Sequence, residues 1–324
     1  MNSHAASHAA HIAATTVKNR RDHLFEQIRG SYAAYFFSMP AIVLMAIFMI
    51  YPLIWAFWLS FTNYHLIHEQ GTGFVGTSNY AAALQDSTFR TGLWNTLVFT
   101  LFHVPISIGL ALLLAALIQS AGKFGKICQM LLFIPVLIPE AMSAVVFCWL
   151  FAERVGIANH LMLEKFGFIT HGIEHLFGFE MPQNWLGRPG WAMAAIVLTS
   201  YWGIGTNVIL FSAGFAGIPR DLYEAAAVDG AGPWNRFKAI TFPCLRHTTA
   251  VVSILAIIHS LKIFSLPYIM TNGGPGTSTT FLYQWIFQNA FIYFKLGYAC
   301  AMAFLLALVV LAVAGLQLAV SKKD

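Results

Sequence analysis

The sequence predicts an all-α, polytopic integral membrane protein with about six transmembrane helices. Three observations predict it. Of 324 residues, 58% are hydrophobic and only 10% charged, and the mean hydropathy of +0.68 lies far outside the range of soluble globular domains. The apolar residues gather in stretches of the ~20 residues that cross a bilayer. The basic residues collect on alternate connecting segments. Placed there, a net charge of +5 needs no nucleic acid to explain it, and the 15% aromatic content suits interfacial anchors and packed membrane helices.

Residues 1–30 read as a polar tail. His4, His8 and His11 open it without the acidic or Cys partners of a metal site, so they belong to a solvated terminus. Lys18, Arg20, Arg21 and Arg29 follow, and Leu24, Phe25 and Ile28 could lay a short amphipathic helix on the membrane surface. The first span, about 33–61, is too long for a signal-peptide core and has no small-residue cleavage site after it, so it is expected to remain in the mature protein. Further spans are predicted at about 94–120, 127–151, 191–215, 248–268 and 296–320, none with a run of charges. Pro135 and Pro139 predict a kink in the third, and the fifth carries His259 and Lys262. Residues 31–320 are expected to form the transmembrane domain, with 321–324 as its short cytoplasmic end.

An even number of spans puts both termini on one side. If that side is the cytoplasm, its segments hold Lys18, Arg20, Arg21, Arg29, Lys123, Lys126, Arg220, Arg236, Lys238, Arg246, Lys322 and Lys323. The opposite segments hold only Arg90, Arg154, Lys165, Arg188 and Lys295, among the acids Glu69, Asp86, Glu153, Glu164, Glu174 and Glu180. The positive-inside bias therefore predicts cytoplasmic termini.

Between the fourth and fifth spans lies the longest strongly polar insertion of the second half, 218–246. Pro219 can open a helix because the first helical position needs no backbone donor. Asp221 and Glu224 then occupy the turn where the helix dipole favours acids. Leu222, Ala225 and Ala226 recur at helical spacing and make a small apolar face. Gly230 ends the helix, and Pro233 opens a second one with Trp234, Phe237 and Ile240 along one face, until Pro243 interrupts it. The insertion reads as a shaped cytoplasmic protrusion for a partner.

Catalytic motifs are not evident. Cys128, Cys148, Cys244 and Cys300 have no CxxC spacing and read as small packing residues. His171 and His175 are at helical spacing but outside any HExxH pattern, and Gly273-Gly-Pro-Gly276 has neither the Lys nor the strand-to-helix context of a phosphate loop. Any nucleotide chemistry would have to be done by another chain. Polar residues inside spans are functional candidates because unsatisfied polar groups in hydrocarbon are costly, and Thr206, Asn207, Ser260 and Lys262 qualify.

Residues 224–231, EAAAVDGA, with Phe237, Ile240 and Pro243 downstream, resemble the EAA loop of permease subunits of bacterial binding-protein-dependent ABC importers. Thr271-Asn-Gly-Gly-Pro275 with Thr279 or Thr280 beyond it, Gly297-Tyr-Ala299, residues 74–80 (FVGTSNY) and the Asn95-Thr96 pair resemble the carbohydrate-uptake branch, in particular its maltose- and glycerol-phosphate-type first permease. The similarity runs from about Tyr35 to the end. It implies a type I ABC importer permease fold in the bacterial inner membrane, paired with a second homologous permease, an ATPase dimer and an extracytoplasmic solute-binding protein. ATP and Mg would be bound by the ATPase, and this chain would hold no catalytic residue, metal or cofactor. By the same resemblance Asp221, Leu222, Tyr223, Glu224, Ala225, Ala226, Asp229, Gly230 and Ala231 form the ATPase-coupling element, and Thr206 and Ser260 fall near positions that line a sugar path. Lys262 could attract an acidic sugar such as an alginate-type uronate chain, or could snorkel or pair with Glu140.

Two other classes compete. A secondary transporter would show an inverted repeat, and no half-to-half similarity is visible. A membrane-embedded enzyme would need converging titratable groups, and His103, Glu140, His259 and Lys262 are expected at unrelated depths.

Overall fold

In this computed structural model the described residues are 32–67, 73–164 and 184–323. The tail residues His4, His8, His11, Lys18, Arg20, Arg21, Leu24, Phe25, Ile28 and Arg29 lie outside them, as do Glu69, Lys165, His171, Glu174, His175 and Glu180. The chain forms two compact units, Met1–Trp58 and Leu59–Asp324.

In the first unit, α1 (Tyr32–Met45) runs through a π turn, Ala46–Ile50, into α2 (Tyr51–Leu59). Its apolar side chains, Phe36, Phe37 and Phe48 among them, are exposed, which is what a span facing lipid or another apolar helix requires.

The second unit begins with α3 (Ser78–Gln85) and α4 (Ser87–Ser120). At 34 residues α4 is about 50 Å long. It starts earlier than the apolar stretch 94–120 because Asp86 caps it: the carboxylate accepts the Thr88 amide at 2.8 Å, satisfying one of the free donors of the first turn. The same carboxylate accepts Trp285 Nε1 at 2.8 Å and Tyr298 Oη at 3.0 Å. Burial alone would raise this acid, but these bonds, with the Thr88 and Phe89 amides, outweigh it and hold Asp86 below the usual carboxylate range.

Next come α5 (Lys123–Phe133), extended by a 3-10 turn at Ile134–Leu137, and α6 (Glu140–Leu150). The two arms meet at 96°. The cause is local: Pro135 and Pro139 remove backbone donors, and Ile138, which precedes Pro139, is forced to the extended ψ of 126°. After α7 (Ile157–Glu164), α8 (Pro189–Ser200) passes through a 3-10 turn, Tyr201–Gly203, into α9 (Gly205–Ala216) with a 46° bend. A Cβ on Gly205 would overlap the carbonyl oxygen of Leu132. Glycine there lets α9 cross α5 backbone to backbone.

The chain continues with α10 (Arg220–Val228), α11 (Pro233–Arg236), a π turn at Phe237–Thr241 and a short turn at Phe242–Cys244. Then follow α12 (Arg246–Leu261), α13 (Ser265–Met270), α14 (Leu282–Phe287) and α15 (Leu296–Lys323). Among the described residues, four helices are long and apolar enough to cross a membrane, and six spans result if each bent pair counts as one.

Three apolar clusters hold the second unit. At one end Ala111 and Ala115 of α4 pack with Phe211 and Phe215 of α9, with Leu245 just before α12 and with Val252 of α12. The small alanines allow close helix approach. Toward the other end Phe99, Ala144, Ile196, Leu266 and Phe281 form a second cluster, and Phe89, Leu282, Met302 and Leu306 a third. The loop before α14 is pinned to α4: Asn95 Nδ2 donates to the carbonyls of Thr277 (3.1 Å) and Thr280 (3.0 Å), and the Leu282 amide donates to Thr96 Oγ1 (3.0 Å).

Candidate functional site

The two broken spans enclose a cavity of about 620 Å³ together with α4 and α12. α4 brings a polar stripe to the interior, Thr96, Thr100, His103 and Ser107, all buried at spacings of three or four residues. Thr96 and Thr100 donate to carbonyls four residues back, at 2.7 and 2.8 Å, whereas His103 and Ser107 reach the cavity. Asn207 on α9 donates to Ser107 Oγ at 3.1 Å. Ser200 Oγ donates to the Val197 carbonyl at 2.6 Å and lies 2.9 Å from His103 Nδ1. A hydroxyl has one proton to give, so His103 Nδ1 is the donor in that pair and its Nε2 is an acceptor. The ring is clamped between Phe99 (centroids 4.9 Å, 11°) and Tyr201 (5.1 Å, 12°), which ties α4 to the break in the fourth span.

Of the residues predicted inside the spans, Thr206 and Asn207 line this cavity. Ser260 does not; it is fully buried and donates to the Ile257 carbonyl at 3.0 Å. Lys262 is exposed beyond the last turn of α12 and is not part of the cavity wall. Glu140 is part of it, at the start of α6 after the 96° bend, and so are Ser143 and His259. His103, Glu140 and His259 were expected at unrelated depths; three different spans instead bring them to one cavity. Among the described residues that line it, Glu140 is the one acidic side chain, and no Lys or Arg is present. Among the described residues no group of three or more His, Cys, Asp or Glu could hold a metal ion. The α4 stripe was available in the sequence as polar residues three and four apart inside an apolar run. The contribution of α6 and α12 was not, since it depends on the bend.

The second feature is α10. Tyr223 packs against the cluster containing Phe215, Ile218 and Leu245, and its hydroxyl lies 2.8 Å from Thr241 Oγ1. Ala226, one turn on, is half-buried on the same face. Leu222 (43% exposed), Ala225 and Val228 (89%) form an apolar stripe open to the surroundings, beside exposed Asp221 and Glu224. The helix ends in a left-handed turn: Gly230 has φ +74°, and the Ala231 amide donates to the Ala226 carbonyl at 2.9 Å. The Ala231 carbonyl then accepts Arg236 Nε at 2.7 Å, fixing α11 to the end of α10. Asp229 and Gly230 are exposed and Ala231 half-buried. Trp234, 72% exposed, stacks on Phe237 (5.6 Å, 18°).

Cavity and protrusion share their supports. The first turn of α9 supplies Thr206 and Asn207 to the cavity and its last turn supplies Phe215 to the cluster under Tyr223. α12 likewise gives Leu255 and His259 to the cavity and Val252 to that cluster.

Comparison with known proteins places this arrangement. Residues 107–323 match the family described as "Binding-protein-dependent transport system inner membrane component". The chain is similar to the sulfoquinovosyl glycerol transport system permease protein SmoG of Agrobacterium fabrum, 37% identical over 82% of each chain. It is also similar to the arabinooligosaccharides transport system permease protein AraP of Bacillus subtilis, 34% identical over 89% of this chain and 88% of that one. In fold it resembles a chain from the crystal structure of a bacterial ABC transporter involved in the import of the acidic polysaccharide alginate, with a TM-score of 0.76 at 23% identity, covering 93% of this chain and 99% of that one. The match through both broken spans and the α10 protrusion shows that this chain belongs to the family of binding-protein-dependent transport system inner membrane components.

Proposed function

We propose that this chain is one of two homologous permease subunits of a bacterial inner-membrane ABC importer, forming half of the translocation path for a sugar or oligosaccharide. The observation that carries the reading is the shared support: α9, about 18 Å long by its 12 residues, and α12 each join the cavity to the surface under α10. A partner that moves α10 therefore moves two cavity walls as rigid bodies. The partner is an ATPase dimer, which binds ATP and Mg and performs the hydrolysis; this chain is non-catalytic. Leu222, Ala225 and Val228 would enter a cleft on the ATPase, with Asp221 and Glu224 as its polar contacts. Full burial of Val228, 89% exposed, would supply about 1.5–3 kcal/mol, and covering the exposed part of Leu222, 43% exposed, roughly half of that.

Sidedness follows from charge. Lys123, Lys126, Arg220, Arg236, Lys238 and Arg246 gather at the α10 end, which the positive-inside rule assigns to the cytoplasm together with both termini. An extracytoplasmic binding protein, which the family description itself names, would deliver substrate to the other end. The cavity wall offers hydroxyls, an amide, imidazoles and one carboxylate, groups that bond sugar hydroxyls. Sugar transport by the relatives SmoG and AraP supports the same class.

The narrower class is an acidic oligosaccharide such as alginate. Lys262 and Lys295, exposed toward the end opposite α10, favour it; Glu140 in the cavity favours neutral units at that depth. The deciding experiment reconstitutes the chain with its partner permease, ATPase and binding protein in liposomes and measures ATP hydrolysis against a panel of neutral and acidic sugars. Stimulation by sugars supports the importer, and stimulation by neutral sugars alone removes the acidic class. Sugar uptake by the chain alone without ATP would instead establish a secondary transporter.

A further inference from the structure

At the end of the second unit opposite α10, a pocket of about 660 Å³ opens that shares no lining residue with the cavity. Its volume falls within the roughly 300–1,000 Å³ of small-molecule sites. Among the described lining residues Ala82 is the only aliphatic one, and the rest are aromatic, amide or ionisable side chains. Its apolar surface is aromatic and edged by polar atoms, not the aliphatic wall that a lipid chain packs on.

The pocket is built and not merely open. Asp86 is held in place by Trp285 Nε1 (2.8 Å), Tyr298 Oη (3.0 Å) and the Thr88 amide (2.8 Å), so its carboxylate is already engaged by neutral donors. Asn79 Nδ2 donates to the carbonyls of Ser60 and Thr62, both at 2.9 Å, which fixes the plane of that amide. Tyr293, half exposed, stands edge-on to Trp285 (5.9 Å, 68°) and offers a rigid ring. Asn63 and Lys295 are exposed at the rim. Among the described lining residues the sole carboxylate is Asp86, which keeps its negative charge but is tied to Trp285, Tyr298 and the Thr88 amide, and the sole Lys or Arg is Lys295, exposed at the rim and the cation available to an incoming anion.

These groups match one ligand chemistry. A pyranose has an apolar C–H face that packs on an aromatic ring, hydroxyls that bond planar amides, and, in a uronate, a carboxylate that pairs with an ammonium. We propose that this pocket is a reception site for an acidic pyranose unit of the incoming saccharide, with Tyr293 as its platform, Asn63 and Asn79 as hydroxyl partners and Lys295 as the partner of its carboxylate. The proposal rests on the sugar-importer reading and adds to it a site on the delivery side, where a saccharide end can be held before the cavity opens.

The test uses the full chain assembled with its partner permease and ATPase in nanodiscs, without binding protein. The probes are a hexuronate trisaccharide and its carboxyl-reduced neutral form, followed by saturation-transfer NMR. Wild-type complex binds the acidic probe more tightly than the neutral one, and this preference shrinks at high salt. Tyr293→Ala weakens both probes by about fivefold, and Lys295→Gln weakens the acidic probe alone by about tenfold. Both positions are exposed, so the variants fold; Tyr293→Phe restores binding of both probes. Absence of binding in a wild-type complex that transports sugar overturns the proposal, as does binding indifferent to both substitutions. If Tyr293→Ala instead loosens retention of sugar-free binding protein, the pocket is a protein-docking contact and the proposal fails. An acidic probe indifferent to Lys295→Gln removes the acidic class. Failure of the importer reading looks different: no sugar then stimulates ATP hydrolysis by the wild-type complex.

Discussion

Tyr223 Oη lies 2.8 Å from Thr241 Oγ1, joining α10 to the π turn that leads into α12. The ring of Tyr223 packs on the cluster that α9 and α12 share. One side chain thus links the protrusion to both connectors, by a hydrogen bond on one side and by apolar contact on the other.

Removing the hydroxyl separates these two roles. Tyr223→Phe keeps the ring packed and is expected to cost about 0.5–1.5 kcal/mol of stability. ATPase subunits remain attached, while sugar moved per ATP hydrolysed falls. The ratio of transport to hydrolysis in liposomes measures it; an unchanged ratio would show that the bond is not part of the coupling.

Charge on the exposed stripe has the opposite signature. Val228→Asp and Glu224→Lys alter side chains that make no buried contact, so thermal stability of the chain stays within about 0.5 kcal/mol. Retention of the ATPase drops by about tenfold or more, the equivalent of one lost apolar anchor. Co-purification at matched expression reads the effect.

The cavity prediction concerns selectivity. Glu140→Gln removes the one acidic side chain among the described residues of its wall. Uptake of an acidic sugar relative to a neutral one is expected to rise about tenfold, since like-charge juxtaposition opposes entry. Asn207→Ala, which frees the Ser107 hydroxyl, should lower uptake of both without that change in ratio. Competitive uptake of paired sugars distinguishes them.

Asp86 gives a pH dependence with a definite sign. Its carboxyl is held below the ordinary range in the folded chain, so it stabilises the fold above the unfolded value of about 3.9 and that stabilisation is lost as pH falls through the folded value. Asp86→Asn should therefore melt earlier than wild type at neutral pH, and the two curves should converge in acid. Parallel curves at all pH values would mean that the charge on Asp86 contributes nothing.

Much of the fold was legible because its signals are local. The α10 helix follows from Pro219, an acid in the first turn and Gly230, each acting through backbone geometry within a few residues. The break in the third span follows from Pro135 and Pro139, although its 96° size does not. The 46° bend in the fourth has no proline behind it; it accompanies the stacking of Tyr201 on His103 and the approach of Gly205 to Leu132, contacts between residues about 70 to 100 positions apart.

By itself the sequence determined the helical class, the number of apolar stretches, the charge bias between their connections and the short polar helix at Arg220–Val228, since composition and short-range rules suffice for these. Tertiary structure alone decided which polar side chains meet. A face buried against protein and a face turned to lipid are both apolar, so periodicity does not distinguish them. Only the packing shows that His103, Glu140 and His259 share a cavity, that Ser260 and Lys262 lie outside it, and that Leu222 and Val228 of α10 stay exposed while Tyr223 packs on the core.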